Sequence, residues 1–161
     1  LRYFAEEVLP RIHRERPDVR VTSVGRASRS EIERFRRHGI ELTGYVDDIR
    51  PYVRRARCLV VPLRVGGGSR LKILDAWAMG KAVVTTTVGC EGLAARDGEN
   101  ALVRDDAAGL ATAALRLLED EELATRLGDE ARREAVESYS WEALAAPMLE
   151  VYDRLLEETT E

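Results

Sequence analysis

The chain has 161 residues and a mass of 18.0 kDa, the size of one ordinary domain and too short for two sizeable ones. Apolar residues make up 45% and charged residues 34%, which suits a soluble globular domain and excludes disorder. No apolar run approaches the ~20 residues of a bilayer span, and 25 basic against 29 acidic residues give a net charge of −4, unlike the basic balance of a nucleic-acid binder.

Cys58 and Cys90 show no metal-like spacing and cannot build a disulfide framework, so both read as reduced thiols. The start, LRYFAEEVLP, reads as an amphipathic helix with no signal peptide. There is no initiator Met. The expectation is a piece of a longer cytoplasmic protein.

In chain order, a first helix is expected from about Tyr3 to His13, with Phe4, Val8, Leu9 and Ile12 on one stripe. Val19–Val24 alternates and is β-branched, as a strand does. Ser28 or Ser30 caps a short helix, Glu31 to His38, which Gly39 ends. Ile40–Thr43 is a short strand closed by Gly44, and Asp47 or Asp48 caps a helix through Ile49, Tyr52 and Val53.

Cys58–Leu63 is apolar without alternation, as expected of a central parallel strand buried on both faces. After Gly66-Gly67-Gly68 and Ser69 a helix runs to about Met79, and Ala82–Thr87 is a second central strand. Ala101–Val103 is a short strand. Helices follow at about Ala107–Leu118, Glu121–Glu137 and Trp141–Glu158. Strand–helix alternation implies a doubly wound, Rossmann-like parallel sheet flanked by helices, with a helical C-terminal cover.

In such sheets ligands bind beyond the carboxyl ends of the strands, which points to the turn after Cys58–Leu63. Three glycines leave the backbone bare for an anion, and the helix start behind them offers unpaired N–H groups and a positive dipole end. Strand, glycine loop and helix start together favour phosphate. The loop is neither a Walker A nor a GxGxxG motif, and a plain flexible loop is the alternative.

Between Leu71 and Met79 only Lys72 and Asp75 are charged, three residues apart on one face. The rest of that helix reads as mostly buried, and a carboxylate there is costly unless it is paired or serves a ligand. Asp75 therefore either accepts from the ribose hydroxyls of a nucleotide or pairs with Lys72. His13, His38 and the arginines at 54, 55 and 57 read as solvated, Cys58 as core and Tyr45 as a rim aromatic. No Ser-His or Cys-His dyad and no metal cluster is suggested.

The stretches EVLPRIHRERPDVRVTSVG, ELTGYVDDIRPYVRRARCLVVPLRVGGGSRLKILDAWAMGKAVVTTTVGCEGL, DGENALV and ESYSWEALAAPMLEVYDRLL resemble, in order, the C-terminal half of a retaining glycosyltransferase of the two-Rossmann GT-B fold, family 4 or "group 1". The resemblance implies a bacterial-type transferase half. Residues 1–161 would be a single nucleotide-sugar-binding domain, truncated at its N-terminal end, with the acceptor domain absent. It implies transfer of a hexosyl group from a nucleotide-sugar donor of UDP or GDP type, with retention, and no metal or other cofactor.

Its partners would be the nucleotide-sugar and its own N-terminal domain, with peripheral membrane contact left to that missing half. The family signature is Glu, seven residues, Glu. Asp75 matches the second Glu, which holds the ribose. Gly67 matches the first, so a sugar contact is missing. The amides of Gly68 and Ser69 would take the diphosphate, beside Gly66 and with Arg70 and Lys72 as the nearest cations, and the Gly44-Tyr45-Val46 turn would meet the nucleobase.

The loop Gly89–Gly92 would border the same cleft. The family domain begins with a strand and turn that precede this chain, so the fragment alone is expected not to turn over. The terminal stripe of Trp141, Leu144, Met148, Val151 and Leu155 either serves the N-terminal domain or packs on its own sheet, and Pro147 is expected to kink it. The alternatives are a nucleotide-binding or regulatory α/β domain without transfer chemistry, a purely structural domain, and a GT-B relative such as a sugar-nucleotide epimerase.

Overall fold

The computed structural model describes residues 1–159; Thr160 and Glu161, part of the expected single domain, lie outside the described residues. The first helix opens as a π-wound segment, Phe4–Val8, and continues as α1, Leu9–Glu15. Pro10 accounts for the wide turn, because its ring has no room against the Glu6 carbonyl of a regular α-turn. There follow β1 (Val21–Ser23), α2 (Arg29–Arg36), β2 (Ile40–Leu42), α3 (Arg50–Arg55) and β3 (Cys58–Val61). Then come α4 (Leu71–Ala78), β4 (Ala82–Thr85), β5 (Leu102–Val103), α5 (Ala107–Glu119), α6 (Glu121–Tyr139) and α7 (Trp141–Thr159).

All strand pairs of the named strands are parallel, with helices on both faces and a helical C-terminal third, as the alternation implied. The sheet is, however, in two pieces: β1 pairs with β2, and β3–β4–β5 form a second set. Among the described residues no ladder joins β1 or β2 to β3, β4 or β5. β4, flanked on both sides, is buried at every position. β3, paired on one side only, is half-buried throughout, which corrects the expectation of a strand buried on both faces.

Period-two alternation sorts the core. Cys58 and Val60 of β3 with Ala82 and Val84 of β4 face Phe4, Val8 and Ile12 of the first helix and Leu110, Ala114 and Leu117 of α5. Leu59, Val61 and Val83 face Ile73, Ala76 and Trp77 of α4 and Ala131 and Ala135 of α6. Helix α6 joins both layers, since Leu123, Ala124 and Leu127 belong to the first and Ala131 and Ala135 to the second. It makes the passage at Gly128, which lies against Gly80 and the Ala82 amide at the start of β4.

Caps fix the helix starts. Ser28 and Glu31 close a reciprocal capping box on α2, while Asp106 and Asp120 accept from the Gly109 and Leu123 amides at 2.7 and 2.8 Å. Lys81 donates to the Arg54 and Ala56 carbonyls at 3.0 and 2.9 Å, placing a cation on the negative end of α3. His13 is not simply solvated: its Nε2 donates to the Val19 carbonyl at 3.0 Å. Arg54 and Arg55 in the last turn of α3 and Arg57 just past it are exposed, with Arg57 paired to Glu121 at 2.9 Å.

Helix α7 is continuous through Pro147. Its stripe does not pack on the sheet. Leu144, Met148, Val151 and Leu155 are exposed and Trp141 is 86% exposed, so of the two readings only an open apolar face is observed. Among the described residues no helix is long and apolar enough to cross a membrane.

Candidate functional site

β3 ends at Val61, and Pro62–Ser69 leads into α4 at the carboxyl edge of the sheet. Gly66, Gly67, Gly68 and Ser69 are all exposed. Gly68 has φ +89°, a conformation that L side chains rarely take, and space is open around both it and Gly67. No main-chain amide from Arg64 to Lys72 has a hydrogen-bond partner among the described residues. The first intrahelical bonds are Ile73 and Leu74 to the Arg70 carbonyl, at 2.9 and 3.2 Å.

Unlike α2, α5 and α6, α4 carries no side-chain cap. Its N–H groups and dipole end are thus unspent, in line with an anion site and against a loop closed by its own side chains.

Arg70 stands at the cap position and is only 8% exposed. Its Nη2 donates to Glu91 Oε2 at 3.1 Å and to the Gly66 carbonyl at 3.4 Å, while its buried Nε has no partner. A buried guanidinium with unused donors is costly without an anion.

Lys72 and Asp75 are exposed and do not pair with each other, so the intrahelical ion pair is not formed. Helix α4 is less buried than its apolar content implies. Leu71, Lys72, Asp75 and Ala78 all lie on an open face of α4, and only Ile73, Ala76 and Trp77 are fully buried. Asp75 is therefore free to meet a ligand without the cost of a buried charge.

The neighbouring loop comes from β4 and is held against the end of β3. Thr85 Oγ1 donates to the Val61 carbonyl at 3.1 Å, and Thr86 Oγ1 donates to the Leu63 carbonyl. The Gly89 amide donates to Thr86 Oγ1 at 2.8 Å, and the Cys90 amide to the Thr86 carbonyl at 3.1 Å. A Cβ on Gly89 would fall 2.2 Å from Thr85 Oγ1, so only glycine fits. This turn carries Glu91 to Arg70.

Sequence reading placed the Gly89–Gly92 loop beside the site but not the Arg70–Glu91 pair, which spans 21 residues of chain and depends on β3 and β4 lying side by side. Burial raises the Cys90 thiol pKa, and pushes that of Cys58 up to about 11, so neither is poised as a nucleophile.

Tyr45 is 66% exposed, a rim aromatic as expected, with the Arg26 guanidinium 5.3 Å from its ring centre; Val46 beside it is half-buried. The Gly25 amide donates to the Gly44 carbonyl at 3.2 Å. A cleft of about 470 Å³ opens here, lined among others by Leu1, Arg2, Gly25, Arg26 and Leu42. It includes neither Tyr45 nor the glycine loop. The geometry groups Gly66–Asp75 with Glu91 and sets Tyr45 and Val46 in a separate turn joined to Gly25 and Arg26.

Residues 1–120 match the model of the family described as "Glycosyl transferases group 1". The phosphatidyl-myo-inositol mannosyltransferase of Mycolicibacterium smegmatis is 31% identical over 156 residues, which cover 90% of this chain and 39% of that protein. The chain thus spans about two-fifths of that relative's length. Among solved structures, sucrose-phosphate synthase from Thermosynechococcus elongatus superposes with a TM-score of 0.78 at 23% identity, covering 98% of this chain and 44% of that one. Anabaena Alr3699/HepE, solved in complex with UDP and glucose, superposes with a TM-score of 0.76 at 16% identity over 91% of this chain and 43% of that one. These likenesses fix a Rossmann-like α/β unit of the GT-B kind, and the family match reaches across every strand and the whole glycine loop: the chain belongs to the group 1 glycosyltransferases.

Proposed function

We propose that residues 1–161 form the donor-binding domain of a retaining glycosyltransferase, in which the glycine loop and the start of α4 hold the diphosphate of a nucleotide-sugar. The observation that carries this is the row of unpartnered amides from Arg64 to Lys72 ahead of an uncapped helix, with the half-paired guanidinium of Arg70 beneath it. In this reading the amides of Gly67, Gly68 and Ser69 cradle the phosphates, and Arg70 and Lys72 balance their charge. Asp75, on the open face of α4, accepts from the ribose hydroxyls, and the Gly44-Tyr45-Val46 turn meets the base.

Fixed N–H dipoles aimed at a departing diphosphate stabilise the charge that develops as the glycosidic bond breaks, which is catalysis by positioning and electrostatics. The UDP named with Anabaena HepE supports a nucleotide of this class. The acceptor site and the completed reaction belong to chain beyond these residues, so the 161-residue unit binds nucleotide without turning over.

The test is calorimetric titration of the complete protein with UDP, GDP and ADP, repeated with Asp75→Asn. The reading expects one base to be preferred and a loss of about tenfold or more in affinity for the variant, the scale of a lost charge-assisted hydrogen-bond pair. Equal affinities for wild type and variant overturn the ribose role. No binding by the wild type at millimolar nucleotide overturns the site.

A further inference from the structure

The geometry points to Glu91 as the group that selects a sugar-bearing donor over the bare nucleoside diphosphate, its carboxylate accepting from the hydroxyls of the transferred sugar. This rests on the diphosphate site proposed above. Three features carry it.

Glu91 is 72% exposed, yet it is not loosely placed: the Thr86–Cys90 turn and the 3.1 Å contact of Oε2 with Arg70 hold it at the mouth of the glycine loop. Only Oε2 is engaged; Oε1 has no hydrogen-bond partner among the described residues. Across the loop, Gly67 and Gly68 have no side chains and nothing within 4 Å of where a Cβ would stand, so a ring-sized group meets no obstacle there.

Charge then sets the selectivity. Arg70, with an unpartnered Nε, attracts a diphosphate, but the same guanidinium carries a carboxylate against which a bare diphosphate is repelled. A sugar attached to the outer phosphate removes one ionisable oxygen and brings hydroxyl donors to that carboxylate. The one group thus penalises the product-like ligand and rewards the substrate-like one. After transfer, the same repulsion favours release of the free diphosphate.

The experiment titrates the complete protein, wild type and Glu91→Gln, with three matched pairs: UDP and UDP-glucose, GDP and GDP-mannose, ADP and ADP-glucose. For the pair of the preferred base, Glu91→Gln is expected to bind the nucleoside diphosphate more tightly and the nucleotide-sugar more weakly. The affinity ratio should shift by about tenfold, the effect of one partly screened unit charge. If Glu91 only anchors Arg70, both ligands weaken together and the ratio stays fixed, which overturns the selection role alone. A wild type that binds neither member of any pair overturns the diphosphate site and this inference with it. Glu91→Ala serves as the second variant: it leaves the buried Arg70 guanidinium without its carboxylate, so thermal melting should show a lower Tm, while its affinity ratio should move in the same direction.

Discussion

Replacing Gly128 by alanine sets two physical effects against each other, and the structure decides the sign. In the interior of α6 the substitution gains roughly 1 kcal/mol of helix propensity. The new Cβ would, however, stand 2.2 Å from the Gly80 carbonyl oxygen and 2.8 Å from its carbon. Both are main-chain atoms in the turn between α4 and β4, where no rotamer change can relieve the overlap.

Contact at ordinary van der Waals distance requires α6 to lift by about 1 Å, and Leu127 and Ala131 on either side lose close packing against the core. Gaps of that size forfeit a quarter to a half of each dispersion contact, and overpacking of this kind costs about 1–3 kcal/mol. The net expectation is a destabilisation of about 1–2 kcal/mol, a fall in Tm of about 2–8 °C for a chain of this length. Thermal and urea melts followed by circular dichroism read it. A Tm that rises would show propensity winning, and would refute the account of α6 as a helix passing over the start of β4 with no room for a methyl group.

Three further expectations follow from buried or paired groups. Trp77 is wholly buried with an unpartnered indole N–H, so Trp77→Ala should cost about 3–5 kcal/mol in urea melts, and Trp77→Phe much less, because it removes the orphaned donor along with part of the ring. At pH 8 the Cys58 thiol, pushed up to about 11, should react with iodoacetamide about 100-fold more slowly than a free cysteine of pKa near 9; comparable rates under native conditions would contradict its burial.

The Asp105 carboxyl is held below its ordinary range by the hydroxyl and then the amide of Thr87. A depressed carboxyl pKa contributes stability that is present above the unfolded value and is lost as pH falls through the folded one. Thr87→Val should therefore be less stable than wild type at pH 7, with the gap closing below about pH 4. A gap that persists in acid would remove Asp105 as its cause.

Elements whose signals are local were legible in the sequence. Ser28, one of two serines offered as a cap, marked the start of α2, and Ala82–Thr87 was marked as a central strand by its β-branched and apolar run, of which Ala82–Thr85 forms β4. The same kind of run misled at Cys58–Leu63. Apolar residues record that a strand lies between two layers of helices, not whether it has a neighbour on each edge, and β3 has one.

On α4 the count of apolar residues suggested a mostly buried helix, whereas Leu71 and Ala78 face outward with Lys72 and Asp75. The glycine loop was found because glycines and a helix start are adjacent in the chain. The Arg70–Glu91 pair was not, because only parallel pairing of β3 with β4 places the two loops together. The capless start of α4 likewise became visible only once Ser69 proved to take no part in hydrogen bonding.

The divided sheet bears on how the molecule breathes. With no ladder running from β1 to β3, the unit of β1, α2 and β2 hangs on side chains: Phe35 and Ile40 in the shared core, Arg34 with Glu6 at 3.5 Å, and His13 with Val19. Main-chain protons of Val21–Leu42 can therefore trade with deuterium by a hinge-like opening that leaves β3, β4 and β5 closed, so the isotope should enter this flank well before the half that bears the glycine loop.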